Sequence, residues 1–193
     1  AMLCNLVEVM SGGPWRNVVV AVKTGTPGCQ AARMREVAYA FYDLDSTSLL
    51  RPALFKRLRA IIQLEKPDVV QTWMHHADFV GGLAARLSGV KHVVWGIHSR
   101  SIFRWPGDSD LKFALFQTAI RAASLAVPQR IVSCSETAIS DHASMGFPRK
   151  KMAFIANGIC TRRFEPSVEA GVKTRLSLGI PLDAPVVGFV GRF

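Results

Sequence analysis

The spacing of apolar residues changes period repeatedly along the chain. Residues 2–10 place Leu3, Leu6, Val7 and Met10 at helical spacing before Ser11-Gly12-Gly13-Pro14 ends the run. Asn17 to Val22 is a β-branched strand, Thr24 to Gly28 a turn, and Gln30 to Val37 a short helix. Ala38 to Leu44 suits a second strand. Leu50, Leu54, Leu58, Ile61 and Ile62 then mark an amphipathic helix whose other face carries Lys56, Arg57 and Arg59. Pro67 pushes Lys66 out of the α region and stops it.

The alternation continues. Val69 to Trp73 is a strand, Asp78 to Leu87 a small-residue helix closed by Gly89, and His92 to Ile97 a strand. A helix from about Asp110 to Val127, with Asp108 or Ser109 available as its N-cap, gathers Leu111, Leu115, Ala119, Ala122 and Leu125 near one face. Arg130 to Cys134 is a strand, Ser135 to Met145 a helix closed by Gly146, and Met152 to Ala156 a strand. A helical turn at Arg175 to Leu178 and a strand at Pro185 to Val190 complete the pattern. Strands joined by helical crossovers define an α/β protein, a doubly wound parallel sheet covered on both faces. The opening helix has no strand feeding it and the closing strand nothing to pair with, so both ends are expected to continue in a longer protein.

Composition narrows the partners more than the fold. With 49% hydrophobic and 20% charged residues among 193, the chain can bury a core. No apolar run approaches the roughly 20 residues that span a bilayer, and the first residues lack a basic segment followed by an unbroken apolar core. Cys4, Cys29, Cys134 and Cys160 lie far apart, as isolated thiols in a reducing compartment do. A net charge of +10 draws anions: nucleotide phosphates, acidic lipids or nucleic acid.

Ligands of parallel α/β sheets bind beyond the carboxyl ends of the strands. Those positions hold His75, His76 and Asp78, then His98, Ser99 and Arg100, then Ser135 and Glu136, then Asn157 and Gly158. Two histidines beside Asp78 suggest a metal, but neighbouring side chains diverge and no third ligand is specified, so helix capping and hydrogen bonding are the favoured roles. His98 stands at the mouth of the sheet, where an imidazole accepts a hydroxyl proton, hydrogen-bonds a sugar or phosphate, or caps the irregular segment holding Arg100, Arg104 and Trp105. Ser135 is placed to cap the helix it opens, a helix end that also attracts phosphate. Neither a GxGxxG nor a GxxxxGK[ST] signature occurs, so Gly81-Gly82 reads as close packing.

An ordered set of segments carries a resemblance. Lys66-Pro67-Asp68-Val69-Val70-Gln71-Thr72-Trp73-Met74-His75-His76-Ala77-Asp78, Gly81 to Arg86, and Val93 to Ile97 come first. Ser133-Cys134-Ser135-Glu136, Gly146-Phe147-Pro148, Ile155-Ala156-Asn157-Gly158-Ile159 and Arg162-Arg163-Phe164 follow. Together they resemble the N-terminal domain of glycosyltransferase family 4, and Val187 to Arg192 resembles the first strand and loop of that family's C-terminal domain. Cys160 departs from the aspartate common there.

The resemblance implies a GT-B architecture of two Rossmann-like domains facing a cleft: residues 1–165 as acceptor-side domain, 166–184 as linker, and 185–193 opening the donor-side domain. It implies transfer from a nucleotide-sugar to a lipid-linked or saccharide acceptor, with retention, no metal and no further cofactor, in cell-envelope glycan synthesis. His98 would be the catalytic candidate, and His75, His76, Asp78 and Arg100 would serve the acceptor. Ser135, Glu136, Asn157, Gly158, Gly191 and Arg192 would form the donor or cleft rim. A cytoplasmic enzyme is expected, peripheral at the inner face of an anionic membrane through Lys56, Arg57 and Arg59 and through Arg149-Lys150-Lys151. The rivals are a basic α/β module for nucleic acid or another polyanion, weakened by the scatter of its basic residues, and a dinucleotide-dependent oxidoreductase, weakened by the missing glycine fingerprint.

Overall fold

The computed structural model describes residues 2–22, 31–45, 51–104, 107–159, 161 and 165–189. The β-branched runs form two parallel ladders. Strand β1 (Val18–Ala21) pairs with β2 (Ala40–Asp43). Strands β3 (Val69–Trp73), β4 (His92–Ile97), β5 (Arg130–Ser133) and β6 (Met152–Phe154) form a four-stranded sheet in chain order. The helices are α1 (Met2–Ser11), α2 (Ala31–Val37), α3 (Pro52–Glu65), α4 (His75–Leu87), α5 (Asp110–Ala126), α6 (Glu136–Ser144) and α7 (Val168–Ser177). Ala1–Asn157 is one compact unit and Gly158–Phe193 another.

The expected single sheet is thus two ladders among the described residues, and side chains join them. Val20 and Val22 of the first ladder's side pack with Leu44, with Leu54 and Leu58 of α3, and with Val80 and Ala84 of α4. The larger core centres on β4, whose Val93, Trp95 and Ile97 are buried with Ile120 of α5, Ile131 of β5 and Ile139 of α6. A central parallel strand flanked by two others has this near-continuous apolar character. Helix α4 approaches the sheet closely because Gly82 has no side chain: a Cβ there would lie 2.5 Å from Trp95 Nε1 and 2.9 Å from Val127 Cγ1.

Several expectations need correction. Helix α4 starts at His75 rather than Asp78. In α1 the buried positions are Cys4 and Val7, with Leu6 exposed. The leucine face of α5 points outward: Leu111, Leu115 and Leu125 are 70%, 61% and 60% exposed. Phe113, Phe116, Ile120 and Ala123 face the core instead. This helix has two apolar faces, and the one with two phenylalanines has more area to bury. Helix α7 is longer than expected, opening at Ser167, whose hydroxyl accepts from Ala170 N–H at 3.1 Å. Residues 185–189 form no strand, since their unit offers no described strand to supply ladder hydrogen bonds.

The basic clusters are partly committed to the fold. Arg57 donates to Leu44 O at 3.0 Å and Arg59 to Leu87 O at 3.1 Å. Lys151 donates to Leu125 O at 2.6 Å and Pro128 O at 2.8 Å, satisfying carbonyls at the end of α5. Cys4 and Cys134 are free thiols, whereas Cys29 and Cys160 lie outside the described residues.

The Gly82 contact yields a direct test. Gly82→Ala is expected to lower stability by about 1–3 kcal/mol through overpacking against Trp95, read as a lower urea midpoint with an unchanged denaturant slope.

Candidate active site

The site begins at the turn between β3 and α4. Met74 has φ 76° and ψ 149°, a region that side-chain-bearing residues rarely enter. Hydrogen bonds enforce it: Met74 N–H donates to Gly96 O at 3.0 Å, and Asp78 N–H donates to Met74 O at 2.8 Å. The Asp78 carboxyl, 0% exposed, accepts from Thr72 Oγ1 at 2.6 Å and from Gly96 N–H at 3.3 Å. One acid therefore ties β3, β4 and α4 together. Burial raises its pKa well above the ordinary carboxylate range, outweighing the two hydrogen bonds that favour ionisation. Asp78 lies beneath the rim, sealed from solvent, rather than on it. Gly96 is required at this point because a Cβ would meet Thr72 O at 2.7 Å.

Above this junction the ends of three neighbouring strands converge on His98. Its ring stacks on Trp73, at the end of β3, with centroids 4.1 Å apart and planes 4° from parallel. Its Nδ1 lies 3.8 Å from Sγ of Cys134, which follows β5. Its Nε2 is buried near Gly96 without a hydrogen-bond partner. Burial lowers the His98 pKa, so a half-buried neutral imidazole stands at the mouth of the sheet. Trp73 and Cys134 were not legible as site residues. Register brings them in, with Trp73 opposite Gly96 and Ser133 opposite Ile97.

The other candidates separate. Neither histidine caps α4, whose N-cap is Met74. His75 turns inward and meets His142 of α6, Nε2 to Nε2, at 2.7 Å. His142 Nδ1 lies 2.8 Å from Ala138 O. With Nδ1–H donating to that carbonyl, His142 Nε2 accepts from His75 Nε2–H, and both rings are neutral. Burial first, then the neighbouring His142, lowers the His75 pKa to about 3. His142 is also lowered by burial. His76 diverges to stack on Phe116 at 4.5 Å, and burial lowers its pKa.

Ser135 is the N-cap of α6, its hydroxyl accepting from Ala138 N–H at 3.2 Å, and Glu136 is exposed in the first turn. Arg100 is exposed and donates from Nε to Asp141 at 2.7 Å. Asn157 ends the first unit and Gly158 begins the second, both exposed. Gly191 and Arg192 lie outside the described residues. His98 is thus drawn together with residues near Ser135, while His75, His76 and Asp78 are engaged in packing.

A parallel α/β sheet with helical crossovers is a Rossmann-like domain. Residues 3–163 match the model of Glycosyltransferase Family 4, and the chain belongs to that family. The putative glycosyltransferase EpsF of Bacillus subtilis (strain 168) is 31% identical over 124 residues, covering 61% of this chain and 31% of EpsF. Two crystal structures of Alr3699/HepE from Anabaena, one in complex with UDP and one with UDP-glucose, share the fold with TM-scores of 0.68 and 0.65. Identity is 15% and 16%, over 92% of this chain and 46% of theirs. The chain therefore spans less than half the length of each of these relatives.

Two measurements test this geometry. Met74→Gly is expected to raise stability by about 1 kcal/mol or more by relieving the positive φ, visible as a higher thermal midpoint. The second concerns the His75 pair. Its folded pKa of about 3 lies below the 6.5 of an ordinary histidine, so the unfolded chain binds the extra proton. The stability of the neutral pair is complete above about pH 6.5 and declines as pH falls toward about 3. Urea midpoints should therefore drop between about pH 7 and 5, and His75→Phe should flatten that drop. Asp78 has the opposite sign, its raised pKa favouring the fold at low pH, and is common to both proteins.

Proposed function

We propose that the protein containing this chain transfers a hexosyl group, with retention of anomeric configuration, from a nucleotide-sugar donor to a lipid-linked or saccharide acceptor. The convergence of β3, β4 and β5 on His98 is the observation that carries this reading. Family membership supports sugar transfer, and the complexes of HepE with UDP and UDP-glucose support a uridine nucleotide as the first donor to try.

In this reading residues 1–165 supply the acceptor wall, 166–184 the linker and 185–193 the start of the donor wall. The lowered pKa of His98 keeps its imidazole uncharged at neutral pH, able to accept a hydrogen bond from a reacting hydroxyl. Stacking on Trp73 holds the ring plane, so the imidazole orients its partner without reorganising. Arg100 and the start of α6 at Ser135 offer charge and backbone N–H groups to anionic parts of the substrates. Among the described residues no helix is long and apolar enough to cross a membrane, and a cytoplasmic, peripheral enzyme fits the reading.

In the intact two-domain protein, His98→Ala should reduce transfer from UDP-glucose by at least about 10²-fold while leaving the thermal midpoint nearly unchanged. The 193-residue chain alone should give no sustained turnover, because a cleft between two domains needs both walls. A folded His98→Ala enzyme with unchanged initial rates would remove His98 from the mechanism.

A further inference from the structure

Met74 holds a backbone conformation that its own side chain makes costly. Its φ of 76° with ψ 149° lies at the edge of the region that glycine alone enters freely, and the two hydrogen bonds that fix the turn are made by its backbone atoms. Glycine would make both bonds without the strain. Among the described residues Asp45 and Lys66 also combine a side chain with positive φ, but at 40° and 45°, and Lys66 is the left-handed C-cap of α3. Met74 caps nothing with its side chain. That side chain finds no compensation inside the fold, being 40% exposed and part of none of the buried clusters among the described residues. Its place in the chain is the mouth of the sheet. Trp73, immediately before it, stacks on His98, and His76, two residues after it, meets the ring of Phe103 edge-on at 6.4 Å. Phe103 is itself half exposed.

We propose that Met74 is a specificity-determining residue of the acceptor side, whose thioether chain, with the ring of Phe103, contacts an apolar part of the acceptor beside the hydroxyl that reacts. Backbone strain that the fold itself does not need gathers at ligand contacts. Methionine suits such a contact, because its unbranched, polarisable chain adapts to irregular apolar surfaces. Small-molecule sites pair apolar walls of this kind with a few polar groups that set orientation, here His98. The apolar part is an alkyl aglycone or the C–H face of a sugar ring, since both present carbon-bound hydrogen to the thioether. The proposal deepens the sugar-transfer reading and rests on it for the role of the ligand as acceptor.

The probes are n-octyl and methyl β-D-glucoside, titrated below the micelle-forming concentration into the 193-residue chain with 13C-methyl methionine and 15N amides. The Met74 methyl signal, identified as the one lost in Met74→Gly, should shift saturably. Octyl glucoside bound about tenfold more tightly than methyl glucoside assigns the contact to the aglycone, and equal affinities assign it to the ring face. Met74→Gly, followed by amide shifts, should weaken binding by about fivefold or more while its thermal midpoint rises. Met74→Leu should keep the affinity within about twofold. A role confined to folding gives the reverse, a lower midpoint with unchanged affinity. Folded Met74→Gly that binds as tightly as the parent overturns the proposal, as does the absence of a saturable shift with either glucoside. Binding is read without turnover, so an intact protein that transferred no sugar would defeat the functional reading and leave the Met74 contact standing.

Discussion

The arrangement around His98 depends on one buried carboxyl group. Asp78 receives hydrogen bonds from Thr72 and Gly96, so one side chain on α4 grips two of the three strands whose ends form the site. That grip adds to the two backbone hydrogen bonds that hold the chain in the unfavourable Met74 conformation as it turns from β3 into α4. The junction sets where Trp73 finishes, and Trp73 sets the plane of His98. The site is therefore held from below by a buried carboxyl and from the side by an indole, both on regular elements rather than on loops. A protonated carboxyl suits this position better than a carboxylate, because no cation is needed to compensate it.

The region around the site avoids charge as a rule. His75, His142, His76 and His98 are all biased to the neutral form, in each case chiefly by burial. The charges lie at the periphery, in pairs such as Arg100 with Asp141 and Arg104 with Asp110. A neutral, partly dry floor strengthens any hydrogen bond formed on it.

Legibility in the sequence followed the range of the interaction. Strands β3 and β4 and the start of α5 were readable because β-branched runs, glycine stops and Ser109 act locally. His98 could be placed at the sheet's mouth because it directly follows a strand. Its neighbours could not, since Trp73 and Cys134 reach it only through strand register. Nor could the His75–His142 contact be read across 67 residues. That the leucine face of α5 points outward could not be read for a different reason. Periodicity finds an apolar stripe, but a helix with two such stripes leaves the choice to tertiary packing. Helix α7 was underestimated because its polar and apolar residues alternate without a clear face, although Ser167 carried a capping signal.

The stacked Trp73 and His98 also give the protein an intrinsic optical reporter. An indole lying parallel to an imidazole at 4.1 Å is in van der Waals contact with a ring whose protonation makes it a fluorescence quencher. Of the described tryptophans, Trp95 is sealed in the core and Trp15 is largely exposed, which leaves Trp73 as the emitter coupled to His98. A proton or a ligand arriving at His98 would therefore alter tryptophan emission without any label being added.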